Sequence, residues 1–226
     1  MSCHALIPAA GSGSRFRAEL PKQYLMLHGK PLLQHAIDLL NAHFPLERCH
    51  VVLAPDDELF ETMITLADNV VALRCGGRTR GASVHNALAR IAAHDDDWIV
   101  VHDAVRPCVD ADTSLRLQRE LASDDVGGLL ALPVADTLKR VGDDSRVIRT
   151  ESRDGIWRAQ TPQMFRYGVL RDAFALPDHD GFTDEAQAVE ASGRTARVIR
   201  GSALNVKVTF PDDLSLASAI LSMPPR

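Results

Sequence analysis

No apolar run in the sequence approaches the roughly 20 residues that a helix needs to cross a bilayer; Leu129–Val134 is typical of the longest. No membrane contact is therefore expected. Cysteine is scarce as well. Cys3, Cys49, Cys75 and Cys108 are scattered with no C-x-x-C spacing, which argues against a zinc ribbon, a redox motif or a disulfide framework. The nine histidines form no H-x-x-x-H or H-E-x-x-H pattern. There is no excess of positive charge either: 25 Lys and Arg stand against 30 Asp and Glu, a net charge of -5. A general polyanion-binding surface, and with it nucleic acid as a partner, is not expected. Any anionic ligand must be held by a local cluster of Arg and Lys. The stretch Met1–Pro8 lacks a basic region followed by a long apolar one, so no signal peptide is read and a cytoplasmic location is expected.

What is present suits a soluble globular chain. Of 226 residues, 46% are hydrophobic and 24% charged, enough for a sizeable core. Ala5–Ala9, Val51–Ala54, Val70–Leu73, Ile99–His102 and Leu129–Val134 read as strands. Several are apolar without alternation, as in strands buried on both faces of a sheet. Between them, apolar residues recur at helical spacing: from Leu32 to Leu40 behind Pro31, from Val84 to Ile91, and from Leu115 to Leu121 after a cap signal at Asp112-Thr113. Further helices are expected at Val169–Leu176, Asp184–Ala191 and Asp212–Leu221, with short strands at Arg197–Ile199 and Val206–Thr209. Strand–helix–strand order at this rhythm predicts an α/β fold, a Rossmann-like domain with a mostly parallel, helix-covered sheet. With no repeat, low-complexity tract or Pro/Ser-rich linker, residues 1–226 read as one domain. From Asp136 to Arg158 the helical period disappears, and turn formers at Gly142–Ser145 and Asp154-Gly155 separate short apolar residues. This segment is expected to be a projecting β arm.

Three segments carry candidate chemistry. The first strand runs into Ala9-Ala10-Gly11-Ser12-Gly13-Ser14-Arg15, where glycines let backbone N–H groups cradle phosphate. Neither a P-loop nor a full G-x-G-x-x-G fingerprint is present, since Phe16 takes the third glycine position. Arg15 and Lys22 beside that loop make a triphosphate cradle, although either alone would read as a solvated cation. The second segment is His102-Asp103-Ala104-Val105-Arg106-Pro107, after an apolar strand. Ligands of open α/β sheets bind beyond the carboxyl ends of strands, and an Asp there can hold Mg²⁺. The competing reading is an Asp103–Arg106 ion pair or a helix cap, and His102 is assigned to packing or orientation. The third is Gly76-Gly77-Arg78-Thr79-Arg80, a glycine turn feeding the helix with Ser83, which reads equally as a base or ribose site or a simple loop. Lys207 lies in the apolar Asn205–Thr209. It either points to solvent or is buried beside a neutralising anion, which would suit a phosphate site.

Together these residues resemble the 2-C-methyl-D-erythritol 4-phosphate cytidylyltransferases. The resemblance runs through Pro8-Ala9-Ala10-Gly11-x-Gly13-x-Arg15, Pro21-Lys22-Gln23-Tyr24, Gly76-Gly77-x-x-Arg80-x-x-Ser83-Val84 and His102-Asp103-Ala104-x-Arg106-Pro107. It continues through Asp136-Thr137, Trp157-x-Ala159-Gln160-Thr161-Pro162-Gln163, Phe182-Thr183-Asp184-Glu185-Ala186 and Asn205-Val206-Lys207-Val208-Thr209. Val105 and Ile156 are mild departures. Arg78 stands where the family often has an acid, so no nucleotide contact is assigned to it.

The resemblance implies a nucleotidyltransferase fold in which Pro8, Ala9, Ala10, Gly11, Gly13, Arg15, Lys22, Gly76, Ser83, Asp103 and Ala104 hold CTP, with Mg²⁺ on Asp103. It places Asp103, Arg106, Thr137, Arg153, Thr161, Thr183 and Lys207 around methylerythritol phosphate, and makes Arg15, Lys22, Arg153 and Lys207 the catalytic set. It also implies a homodimer that exchanges its arms, which agrees with an arm too small to bury its own apolar residues. The expected reaction is in-line attack of the substrate phosphate on the α-phosphorus of CTP, releasing pyrophosphate. A phosphate monoester has its second pKa at about 6, so it needs no general base at pH 7. Two alternatives stay open: the same chemistry on another polyol phosphate such as ribitol 5-phosphate, and a non-catalytic nucleotide-binding protein on the same fold.

Overall fold

The computed structural model describes residues 1–11 and 20–224. The chain begins with β1 (Cys3–Pro8), a small hairpin of β2 (Met26–Leu27) and β3 (Lys30–Pro31), and α1 (Leu32–His43). Then come β4 (Arg48–Val52), α2 (Phe60–Met63), β5 (Val70–Leu73), α3 (Arg80–Leu88), β6 (Trp98–Val101), α4 (Ala111–Leu121) and β7 (Gly127–Pro133). The paired strands β8 (Leu138–Val141) and β9 (Val147–Glu151) form the arm. The rest is β10 (Trp157–Arg166), α5 (Tyr167–Phe174), α6 (Glu185–Ala191), β11 (Arg197–Arg200) and α7 (Pro211–Leu221).

The central sheet has seven strands in the order β11-β7-β10-β6-β1-β4-β5. All run the same way except β10, which is antiparallel to both neighbours. Alternate side chains of its middle strands enter two cores. Ala5, Ile7, Cys49, Val51 and Val100 pack with α1 and α4, while Leu6, Val52, Ile99 and Val101 pack with α3, α5 and α6. Burial on both faces explains why these strands read as unbroken apolar runs. The carboxyl ends of β1, β4, β5 and β6 therefore lie along one rim.

Several boundaries differ from the sequence expectation, each for a local reason. Helix α4 is capped by Asp110, whose carboxylate accepts the Thr113 N–H at 2.7 Å, so Asp112 and Thr113 already belong to the helix. Pro31 stands just outside α1, in an extended conformation. Val206–Thr209 is no strand: it makes a single backbone tie to the loop after β6, from the Val208 N–H to the Val105 carbonyl at 2.9 Å. Strand β10 is no part of the sequence expectation beyond Trp157 and Arg158, which the sequence places at the end of the arm and which instead pair with β7 in the central sheet; that pairing breaks between Ala159 and Gln163, where Pro162 has no N–H to donate.

Candidate active site

Beyond the rim of parallel strand ends lies an open cavity of about 700 Å³. Pro8, Ala9, Ala10 and Gly11 form one wall and the Gly77–Arg80 loop another, with Asp103–Val105, Lys22, Gln23, Ser83 and Lys207 completing the lining. Close backbone approach shapes the loop walls. A Cβ on Gly76 would meet the Ala10 Cβ at 2.2 Å and the Leu53 carbonyl oxygen at 2.7 Å, so only glycine fits there. The Gly77 N–H donates to the Ser83 hydroxyl at 3.0 Å, and that hydroxyl donates to the Thr79 carbonyl at 2.9 Å. Thr79 also caps α3 by accepting the Ala82 N–H. Lys22 is placed by its neighbour: the buried Gln23 amide donates to the Ala9 carbonyl at 2.7 Å and pins the turn against the end of β1.

The electrostatics are lopsided. Lys22, Arg78, Arg80 and Lys207 line the cavity, and Asp103 is the only acid among the described lining residues. On a chain of net charge -5 this is the local cationic cluster that an anionic ligand requires. Asp103 sits among three cations. Its Oδ2 lies 2.9 Å from Lys207 Nζ and 3.3 Å from Arg106 Nε, and its Oδ1 is 3.5 Å from Arg80. Burial alone would raise its pKa, but Arg80, Lys207 and Arg106 overcome it and hold the carboxyl far below the usual range. The anion beside Lys207 in this structure is thus the Asp103 carboxylate, and Lys207 itself is half-exposed.

Beneath Asp103 runs a chain of hydrogen bonds with a defined direction. His102 is fully buried, and its Nε2 faces the Arg106 carbonyl at 3.0 Å, which can only accept. Nε2 therefore carries the proton and Nδ1 accepts from the Thr161 hydroxyl at 3.0 Å. The same hydroxyl oxygen accepts the Asp103 N–H at 3.0 Å. Burial pushes the His102 pKa down to about 4, so the imidazole stays neutral and serves orientation.

A family profile described as 2-C-methyl-D-erythritol 4-phosphate cytidylyltransferase matches residues 3–223. The chain belongs to this family. A cytidylyltransferase of the same description from Dechloromonas aromatica (strain RCB) is 54% identical over 222 residues, covering 96% of each chain. Among solved structures, a 4-diphosphocytidyl-2C-methyl-D-erythritol synthase superposes with a TM-score of 0.87 at 36% identity, covering 98% of this chain and 99% of that one. The 2-C-methyl-D-erythritol 4-phosphate cytidylyltransferase of Francisella tularensis gives 0.85 at 35%, covering 97% and 100%.

Of the residues that the cytidylyltransferase resemblance singles out, the cavity gathers Pro8, Ala9, Ala10, Gly11, Lys22, Ser83, Asp103, Ala104 and Lys207. Gly76 packs behind the wall, and Gly13 and Arg15 lie outside the described residues. Arg106 and Thr161 are not in the lining. The first spans Asp103 and the Asn205 carbonyl (2.8 Å), and the second holds the Asp103 backbone. Thr183, exposed just before α6, donates through both its N–H and its hydroxyl to Gln187. Thr137 precedes β8, and Arg153, beyond β9, donates to the Ala135 carbonyl; neither lines this cavity. Of the Gly76–Arg80 turn, which the sequence leaves open between a base or ribose site and a simple loop, Gly77, Thr79 and Arg80 line the cavity, and so does Arg78, to which no nucleotide contact is assigned; Gln23 and Val105, quoted in the motifs without a role, line it as well. Sequence reading also gives no role to Glu185, which is 0% exposed. A signal existed, since an acid on the same helical face as Ala188 and Val189 must find a buried cation.

Proposed function

We propose that this enzyme joins CTP and 2-C-methyl-D-erythritol 4-phosphate to give 4-diphosphocytidyl-2-C-methyl-D-erythritol and pyrophosphate in isoprenoid precursor biosynthesis. The observation that carries the reading is the cavity itself, a glycine-walled pocket with four lysine and arginine side chains around one ionised aspartate. The nucleophile is the substrate's own phosphate oxygen, already deprotonated near pH 7. No histidine lines the cavity among the described residues, and His102, next to Asp103, is buried with both nitrogens engaged, which suits a reaction without a general base. The obstacle is repulsion between two anions, and positioned cations remove it. Arg15 and Lys22 stabilise charge at the α-phosphate and the leaving group. Lys207 and Arg153 hold the nucleophilic phosphate in line. Thr137, Thr161, Thr183 and Arg106 frame the polyol, the second and fourth of them through Asp103.

Asp103 is the residue we assign to Mg²⁺. A carboxylate kept ionised and facing the cavity is a hard oxygen donor, and Oδ1 is the less committed of its two oxygens. No group of three His, Cys, Asp or Glu able to hold a metal occurs among the described residues, so phosphate and water oxygens must supply the remaining ligands. When bound, Mg²⁺ would neutralise charge on the triphosphate.

We also assign a homodimer. In the arm, Val141, Val147 and Ile148 are 55%, 60% and 63% exposed, and β8 and β9 pair only with each other. A second copy would cover them and bring Arg153 to the neighbouring cavity. No helix among the described residues is long and apolar enough to cross a membrane. All four cysteines are buried and free, as suits a reducing cytoplasm. Pyrophosphate release measured with CTP and a panel of polyol phosphates tests the whole reading. Turnover should be fastest with methylerythritol phosphate; faster turnover of ribitol 5-phosphate would overturn the substrate, and none with any polyol the activity.

A further inference from the structure

Arg80 and Glu185 are 105 positions apart in the chain, yet they form a two-pronged ion pair below the cavity. Arg80 Nη1 donates to Oε1 of Glu185 at 2.6 Å and Nη2 to Oε2 at 3.0 Å, the fork geometry that fixes a guanidinium in one orientation. The same Nη2 also faces Asp103 Oδ1 at 3.5 Å. The two backbones are equally close. A Cβ on Gly81 would meet the His179 carbonyl oxygen at 2.0 Å, so the start of α3 lies directly on the turn that leads to Thr183 and Glu185. Burial disfavours both charges, but Glu185 and Asp103 more than compensate for it at Arg80, which is held protonated. The Glu185 carboxyl is raised by burial despite Arg80; with both oxygens engaged at these distances, the ionised pair describes it best.

We propose that Glu185 and Arg80 are positioning residues for the transfer reaction: Glu185 aims the Arg80 guanidinium, and Arg80 in turn fixes how Asp103 presents its outer oxygen to the cavity. The pair also ties the nucleotide-side loop Gly77–Arg80 to the substrate-side turn before α6. This inference rests on the proposed cytidylyl transfer and deepens it, since neither residue needs to touch a reacting atom.

The double variant Arg80→Met/Glu185→Leu isolates this role. It removes one charge of each sign, leaving the net charge of the chain unchanged and Lys22, Arg78 and Lys207 in place along the cavity. Well-packed apolar side chains often replace a buried ion pair without loss of stability. The parent is assayed first for cytidylyl transfer; an inactive parent overturns the activity and not the pair. With an active parent, the double variant should keep a thermal midpoint close to the parental one. Its kcat should fall at least about tenfold, more than KM for CTP rises. A smaller fall, or a loss carried by KM alone, would overturn the proposal. Should the double variant not fold, Glu185→Asp decides by the same criterion. It keeps the charge but draws the fork back by one methylene, so parental kcat in that variant would likewise overturn it.

Discussion

Asp103 shows how a single residue's surroundings decide its chemistry. Burial would make its carboxyl neutral, yet three neighbouring cations keep it ionised, the form that a metal ligand needs. Asp103→Asn keeps the shape and deletes the charge. The Mg²⁺ concentration for half-maximal activity should rise well above the parental value, and an unchanged Mg²⁺ titration would favour the purely structural ion pair. The same substitution leaves Arg106 and Arg80 short of a counter-charge, so a loss of about 3–5 kcal/mol in unfolding free energy is expected alongside. His102 and His50 make a second residue-scale prediction. Burial lowers both to about 4 from the ordinary 6.5, so the unfolded chain takes up protons first. Their contribution is complete above pH 6.5 and is lost as pH falls from 6.5 towards 4. The thermal midpoint should therefore drop over that window, and a flat profile would contradict the buried neutral imidazoles.

Helices with a polar side chain at the N-cap follow a common rule here, since Thr79, Asp110 and Asp184 each accept the N–H three residues on. Asp110→Ala should cost about 1 kcal/mol, read as a lower denaturant midpoint with unchanged slope; no shift would mean water replaces the cap. Elements of this kind were legible in the sequence because their signals are local. The parallel strands announced themselves by uninterrupted apolar runs, and the arm by its turn formers and lost helical period. Strand β10 was hidden because its middle reads Gln160-Thr161-Pro162-Gln163, polar residues and a proline that look like loop. Those buried side chains bond mainly to distant partners: Gln160 reaches the Ser202 carbonyl, Thr161 the Asp103 backbone, and Gln163 both Asp184 and the Ala186 N–H. The same non-local pairing hid Arg80 and Glu185. Conversely, Val206–Thr209 has strand-like composition without a strand beside it, and the cavity lining from Pro8 to Gly11 was legible because it follows directly from a strand end.

For the whole molecule, the proposed exchange of arms can be tested by mixing. Lys22→Ala should lower kcat by more than about 10²-fold, as loss of one oxyanion donor does, and Arg153→Ala should cripple its homodimer as well. In a heterodimer of the two, one site carries both defects and the other neither. Differently tagged subunits should recover up to about half the parental activity, as expected for two independent sites. No recovery in a verified heterodimer would place Arg153 in its own subunit's site. The position of β10 has a further consequence, for synthesis on the ribosome. Strands β1, β4, β5 and β6 can assemble once residue 101 has emerged, but β7 pairs only with β10 and β11, both made later. A nascent chain paused in the arm therefore holds an open edge at β6 and an unpaired apolar strand, the kind of edge that templates aggregation. Only when residues 157–166 slide between β6 and β7 is that edge closed, and the same insertion carries Thr161 under Asp103; β11 and Lys207, made later still, then complete the sheet and the cavity.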